Sequence, residues 1–391
     1  MTAYLDHAAT TPMRPSAIAA MTEQMATMGN ASSLHTAGRT AARAVEEARE
    51  RLSRSIGARP SEVIFTSGGT ESDNLAVAGT FVARHEVDPR RDHVVASAIE
   101  HHAVRDCVEH LVARHGARVT WVSPDAEGVV SAAAVREAVS DDPGSVALVT
   151  VMWASNEVGT VQPVREIAAV AHEFDIPFHT DAVQALGHVP VDFTASGADL
   201  MTITSHKTGG PLGVGALVAR RGARLVPLSF GGNQERNLRS GTLNVPAIRG
   251  FAVAAEESVA MREAESARLV ALRDRLITSA LHLGHGLTVS GVWEAGDGTR
   301  RLPGNAHLLV PCCDGDSLLH LLDAAGVECS TGSACQAGLP QPSHVLLAMG
   351  VQEERARGSL RLTLGHTSTD TDVDAFLRAL PAAIDRARRP G

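Results

Sequence analysis

The sequence predicts an α/β protein: a mostly parallel, doubly wound sheet in a large unit, followed by a smaller α+β unit. Three observations predict it. Short apolar runs alternate with helical patterns across residues 60–220, the signature of strands joined by helical crossovers. Thr70, His101, Asn156, Asp181 and Lys207 all fall where those runs end, and an open α/β sheet binds its ligands at the carboxyl ends of its strands. The C-terminal third gives up this alternation for shorter, mixed elements.

In chain order, residues 1–15 read as an extended lead-in closed by Pro12 and Pro15. Helical periodicity covers 16–28, a polar turn holds Asn30, and a second helix over 37–56 carries Arg/Glu pairs at helical spacing. Pro60-Ser-Glu-Val-Ile-Phe-Thr66 is a capping turn and short strand running into Ser67-Gly-Gly-Thr-Glu-Ser-Asp-Asn74 and a helix from Leu75. A Gly turn between strand and helix is a phosphate cradle in principle, because small residues let backbone N–H groups approach an anion at a positive helix end; many such turns are plain connections. Strands follow at 93–98, 117–122 and 146–154, with helices at 131–139 and 164–174 between and after them. A strand from Ile176 ends at Asp181, and the next leads to Lys207, before an irregular loop over 224–245 and a long helix over 245–283. The remainder predicts a strand at 305–310, a helix at 316–325, a Gly/Ser/Ala loop to Cys335, a helix at 342–349, a strand at 358–363 and a last helix at 370–388. The large unit is placed at 15–250 and the small one at 1–14 with 251–391.

Composition narrows the class. The chain is 44% hydrophobic and 20% charged, an ordinary globular balance, and its formal charge of −9 offers no general basic surface for nucleic acid. No apolar run approaches the ~20 residues of a membrane span, and no secretory signal is evident. Five cysteines, an odd number, argue for a reducing compartment, and a cytoplasmic location is expected. They do not form the two well-spaced pairs of a metal site, so none is expected.

Lys207 is the only lysine; the other 34 of the 35 basic residues are arginine. Arginine supplies charge and forked hydrogen bonds but effectively never deprotonates. An amine that condenses with a carbonyl is the task it cannot take over. A lysine that survives by chance would sit on a polar face, whereas Lys207 follows the apolar Leu200, Met201 and Ile203 and precedes a Gly/Pro-rich turn.

Nine motifs in order then carry a resemblance across nearly the whole chain. They are Tyr-Leu-Asp-His-Ala-Ala-Thr-Thr-Pro with Thr-Ser-Gly-Gly-Thr-Glu-Ser-Asp-Asn-Leu-Ala, Glu-His-His-Ala-Val, Asn-Glu-Val-Gly, Asp-Ala-Val-Gln, Ser-His-Lys, Arg-Ser-Gly-Thr, Ser-Thr-Gly-Ser-Ala-Cys and Ser-Leu-Arg-Leu-Thr-Leu-Gly. The sequence resembles the cysteine desulfurases of the NifS/IscS type, fold-type I, class V aminotransferase-like enzymes that use pyridoxal 5′-phosphate. The resemblance implies that a seven-stranded-type sheet carries the cofactor on Lys207, which also shuttles a proton. It implies that Asp181 pairs with the pyridinium nitrogen, His101 stacks on the ring, Gln184 bonds the ring hydroxyl and Asn156 the substrate side. Gly69, Thr70, Thr204 and His206 would hold the phosphate, and Thr242 would reach the phosphate of the other subunit of a homodimer. Arg361 would clamp the substrate carboxylate, with Asn30 a weaker candidate, and Cys335 would be the nucleophile. Taken alone, Asp181 would read as a helix cap and Arg361 as one more surface arginine.

The activity so implied converts L-cysteine to L-alanine and leaves a persulfide on Cys335, for an acceptor protein in iron–sulfur cluster assembly or tRNA thiolation. Two alternatives share the fold: a selenocysteine lyase and an aminotransferase, the latter with no use for a loop thiol. A non-catalytic sulfur-carrier subunit is the alternative from another class, and a colourless protein would favour it. Gln336 stands where relatives often have Thr, and His366 where many have a second arginine; both bear on the rim and the partner more than on the chemistry.

Overall fold

A computed structural model describes residues 2–332 and 342–388. The chain opens with a two-residue strand, β1 (Ala3–Tyr4), and then lays down β2 (Val63–Thr66), β3 (His93–Ser97), β4 (Arg118–Val122) and β5 (Val146–Thr150). It continues with β6 (Phe178–Asp181), β7 (Leu200–Thr204) and β8 (Gly215–Ala219). Strands β2 to β8 form one seven-stranded sheet in the order β2-β8-β7-β6-β5-β3-β4, in which β8 alone runs against its neighbours. Strands β5 and β7 are buried along their whole length, as strands covered by helices on both faces must be. Along β3, Val94 and Ala96 pack with Phe81, Val104 and Leu111 of the helices Gly69–Val87 and His102–His115, while Val95 packs on the other face with Leu52, Val135 and Ile167. That alternation is the two-residue period of a strand.

A second core gathers Ala3, Leu5, Leu276, Leu308, Leu362 and Phe376. It lies around two small sheets: β9 (Thr288–Val289), β10 (Asn305–Leu309) and β12 (Ser359–Thr363) form an antiparallel one, and β1 pairs in parallel with β11 (Val327–Glu328). The 37-residue helix Val245–Leu281 serves both cores, Phe251 in the first and Leu269 and Leu276 in the second. At 1.5 Å per residue it is about 55 Å long.

Most boundaries fall within a few residues of the sequence reading. The strand expected over 146–154 stops at Thr150, because Ala154 turns to bridge Val161. Strand β9 and the short helix Phe193–Ser196 are too brief to give a periodic signal. After β1, Asp6 bridges Thr363, and Ala8 and Ala9 pass beside Lys207. The N-terminal segment therefore lies between the C-terminal strands and the end of β7.

Candidate active site

One cavity of ≈ 390 Å³ opens at the carboxyl ends of β2, β5, β6 and β7. Ten of the residues singled out from sequence line it. Gly69 and Thr70 start the helix after β2, and Asp181 ends β6. Thr204, His206 and Lys207 lie at and beyond the end of β7, while Asn156 and Gln184 follow β5 and β6. His101 precedes the helix His102–His115 and Arg361 comes from β12. Asn30 and Thr242 do not line it; both are solvent-exposed in loops. Cys335 lies outside the described residues.

Lys207 is half-buried, and its Nζ donates to the Ala8 carbonyl and to the Ala9 carbonyl at 2.6 Å. The Ala8 carbonyl also accepts from Gln184 Nε2 at 3.0 Å. Neither alanine carries a side-chain signal, so sequence reasoning missed them. Asp181 accepts the Val183 N–H at 2.8 Å, and burial pushes its carboxyl up to about 6. Two further buried acids stand near. Asp73 lines the cavity with an Oδ1 that has no hydrogen-bond partner among the described residues, 3.6 Å from His179 Nε2. Glu100 holds the Met152 N–H at 2.7 Å through one oxygen, and its other oxygen likewise has no partner among the described residues. Burial, with the Asp181 charge second, raises both well above the ordinary carboxylate value and so favours their protonated forms. Asp73 was quoted within a motif without a role; its place four residues after Gly69 puts it on the same helix face.

His101 caps its helix, Nδ1 accepting from the Ala103 N–H at 3.1 Å. Burial, with Lys207 second, drives its pKa down to about 4, so the ring presents a neutral face. His206 is likewise lowered to about 4 by burial and then Lys207. Arg361 donates to the Asn156 carbonyl at 3.0 Å and to the Asp6 carboxylate at 2.9 Å. Its buried Nε has no partner among the described residues. The guanidinium is thus held in place with one donor in reserve, which suits a carboxylate. Asp6 too went unremarked in the sequence, 355 positions from the arginine it fixes.

The fit of a pyridoxal-sized group can be judged from these residues. The cavity volume lies in the usual small-molecule range, with a primary amine, a buried acid and the first turn of a 19-residue helix on its wall. At Gly69 a Cβ would come within 3.1 Å of the Val183 side chain, so the bare backbone keeps that wall open. The donor set fits.

Comparisons with known proteins agree with this geometry. A family model described as "Aminotransferase class-V" matches residues 3–376. An "IscS-like cysteine desulfurase" of Mycobacterium tuberculosis (strain ATCC 25618 / H37Rv) is 57% identical over 387 residues, covering 99% of this chain and 97% of the relative. Among solved structures, a "NIFS-LIKE PROTEIN" superposes with a TM-score of 0.89 at 33% identity, covering 99% of this chain and all of the other. A structure described as "SspA in complex with cysteine" superposes at 0.79 with 34% identity, over 93% and 99% of the two chains. From the full-length family match and these relatives, the chain belongs to the aminotransferase class-V family, among its cysteine desulfurases.

Proposed function

We propose that the protein is a pyridoxal 5′-phosphate-dependent cysteine desulfurase, turning L-cysteine into L-alanine and passing the sulfur to Cys335. The observation that carries this is the cavity in which the only lysine, a buried acid with two more beside it and an arginine whose Nε has no partner among the described residues meet, in a chain 57% identical to a named desulfurase. When bound, pyridoxal 5′-phosphate supplies the conjugated electron sink that lets a Cα–H bond ionise. Lys207 holds it and carries the Cα proton, Asp181 faces the ring nitrogen and His101 the ring. Gly69, Thr70, Thr204 and His206 hold the phosphate, and Asn156 and Gln184 bond substrate and ring oxygens. Arg361 binds the substrate carboxylate, with Asn30 a second candidate. The Cys335 thiolate then takes the substrate sulfur: an S–S bond forms as Cβ–S breaks, and the carbon that loses sulfur gains a proton.

A homodimer is part of this reading. Met28, Leu34 and Phe230 are 85%, 90% and 82% exposed, on two loops tied by Gln234 Nε2 donating to Ser32 Oγ at 3.5 Å. Thr242, exposed in the same region, would complete the phosphate site of a second copy. The acceptor is an iron–sulfur assembly or tRNA-thiolating protein in the cytoplasm; in keeping with that, no helix among the described residues is long and apolar enough to cross a membrane.

The test is direct. Purified protein should be yellow, should release alanine from L-cysteine and, without reductant, should gain sulfur mass on the Cys335 peptide. Cys335→Ser should keep the colour and its change on adding cysteine but make almost no alanine; turnover by that variant would refute the assignment. A hybrid of Lys207→Ala and Thr242→Ala subunits should recover activity at one of its two sites if each site draws on both chains.

A further inference from the structure

A second cavity, ≈ 40 Å³, meets the first at Lys207, Ala8 and Gln184. At roughly 10–15 Å³ per water it has room for about three. Its walls hold polar groups that the reading above leaves unused: His7, Thr11, His188 and His366, with Arg14 and Glu265. Several of them are joined. Ser368 Oγ lies 3.2 Å from His7 Nε2, His7 Nδ1 2.6 Å from Thr11 Oγ1, and Thr11 Oγ1 3.4 Å from His366 Nδ1. His7, Thr11 and Ser368 are buried, whereas His366 is half-buried and reaches solvent. His7, Thr11 and His366 thus form a line of contacts along the wall of a cavity that Lys207 also lines, ending at the surface.

The charges around it are fixed. Arg14 is paired with Glu257 and Glu265, and Arg268 donates to the carbonyls of Gly365, His366 and Ser368. Burial, with these arginines and the neighbouring histidines, lowers His7 to about 3 and holds His188 and His366 below the ordinary histidine range, against a partial counter-pull from Glu257 and Glu265. The three rings are neutral at working pH. A neutral imidazole has one donor and one acceptor nitrogen, so it can take a proton at one and release it from the other.

We propose that the His7–Thr11–His366 chain, with the water-sized cavity it borders, is the route by which Lys207 exchanges its proton with solvent. The inference rests on the reading of Lys207 as carrier of the Cα proton. Substrate filling the first cavity displaces water from one side of the amine and leaves the second cavity as the wet side. The bookkeeping is neutral: Lys207 takes one proton from Cα and returns one, and along the chain each new N–H or O–H bond forms as another breaks.

The experiment follows replacement of the Cα hydrogen of L-alanine in D2O by proton NMR on the holoenzyme, a reaction that involves Lys207 but not Cys335. Thr11→Val and His366→Gln should slow exchange about tenfold or more, with cofactor content and visible spectrum retained. His366→Ala should be equally slow and should recover when free imidazole is added. Exchange at the wild-type rate in both Thr11→Val and His366→Gln overturns the route. Lys207→Ala separates the two levels: if it exchanges like wild type the reading of Lys207 falls, and if it is inert while the other variants match wild type only the relay falls. A reading without cofactor comes from 15N-histidine NMR of the cofactor-free protein. Titrating His366 should move the His7 ring signals more in wild type than in Thr11→Val, since the rings, 6.4 Å apart, also sense each other's charge directly; shifts of equal size in both would break the chain.

Discussion

Lys207 was legible because the rest of the chain avoids lysine. Borohydride treatment of the holoenzyme should attach the pyridoxyl group to the Lys207 peptide alone, and Lys207→Arg should do no better than Lys207→Ala, since charge is not what the residue supplies. Asp181 gives a pH dependence. Its carboxyl must be ionised to face a protonated ring nitrogen, and in the folded protein it ionises at about 6. Cofactor affinity, followed by absorbance titration, should therefore rise as pH passes through 6, and Asp181→Asn should be weak and flat across that range. Arg361 is read through its fork. Arg361→Lys keeps the charge but loses the planar donors and the hold of Asp6, so KM for L-cysteine should rise roughly ten- to a hundredfold, more than kcat falls. The partners of these residues were not legible. Asp6 and the Ala8 and Ala9 carbonyls reach Arg361 and Lys207 from the opposite end of the chain, and a backbone carbonyl leaves no mark on the residue that bears it.

Among the elements, alternation of apolar runs with helical periods was enough to find the strands of the large sheet, because a strand buried on both faces and an amphipathic helix leave opposite patterns. The loop over 224–245 left none, and its shape depends on one buried carboxylate. Glu235 accepts two bonds from Arg49, at 2.7 and 2.8 Å, and one from the Phe65 N–H at 2.7 Å, tying the loop to β2. Glu235, Arg236 and Asn237 take left-handed backbone conformations in succession, an arrangement few sequences announce. Glu235→Ala would leave the buried Arg49 guanidinium with only the exposed Glu46 and the Val63 carbonyl, with a loss of up to about 3 kcal/mol by chemical denaturation. Limited proteolysis of that variant should cut within 231–242 first. Asn30 and Thr242, expected at the site yet outside the cavity of one chain, sit on the exposed loops of this same region.

For the whole molecule, buried histidines set the response to acid. Burial lowers His7, His179 and His307 to about 3 and His101, His206 and His344 to about 4. The unfolded chain takes up these protons near pH 6.5, while the folded protein refuses them until far lower. Their contribution is fully present above 6.5 and is lost as pH falls toward 4. Asp73, Glu100 and Asp181, raised by burial, act in the opposite sense, but the histidines outnumber them. Calorimetry of the cofactor-free protein should show the unfolding midpoint dropping between pH 7 and 5 with uptake of several protons; a flat profile would contradict it. The union of the two chain ends has a further outcome in the order of synthesis. Chains emerge N-terminus first, so the segment from β1 to Ala9 waits for β11 and β12, and Arg361 arrives only with β12. The large sheet, with Asp181 and Lys207, has left the ribosome long before. Nascent chains halted between the large sheet and β12 should show no turnover of cysteine. Cysteine turnover thus waits on β12, although the large sheet is made first.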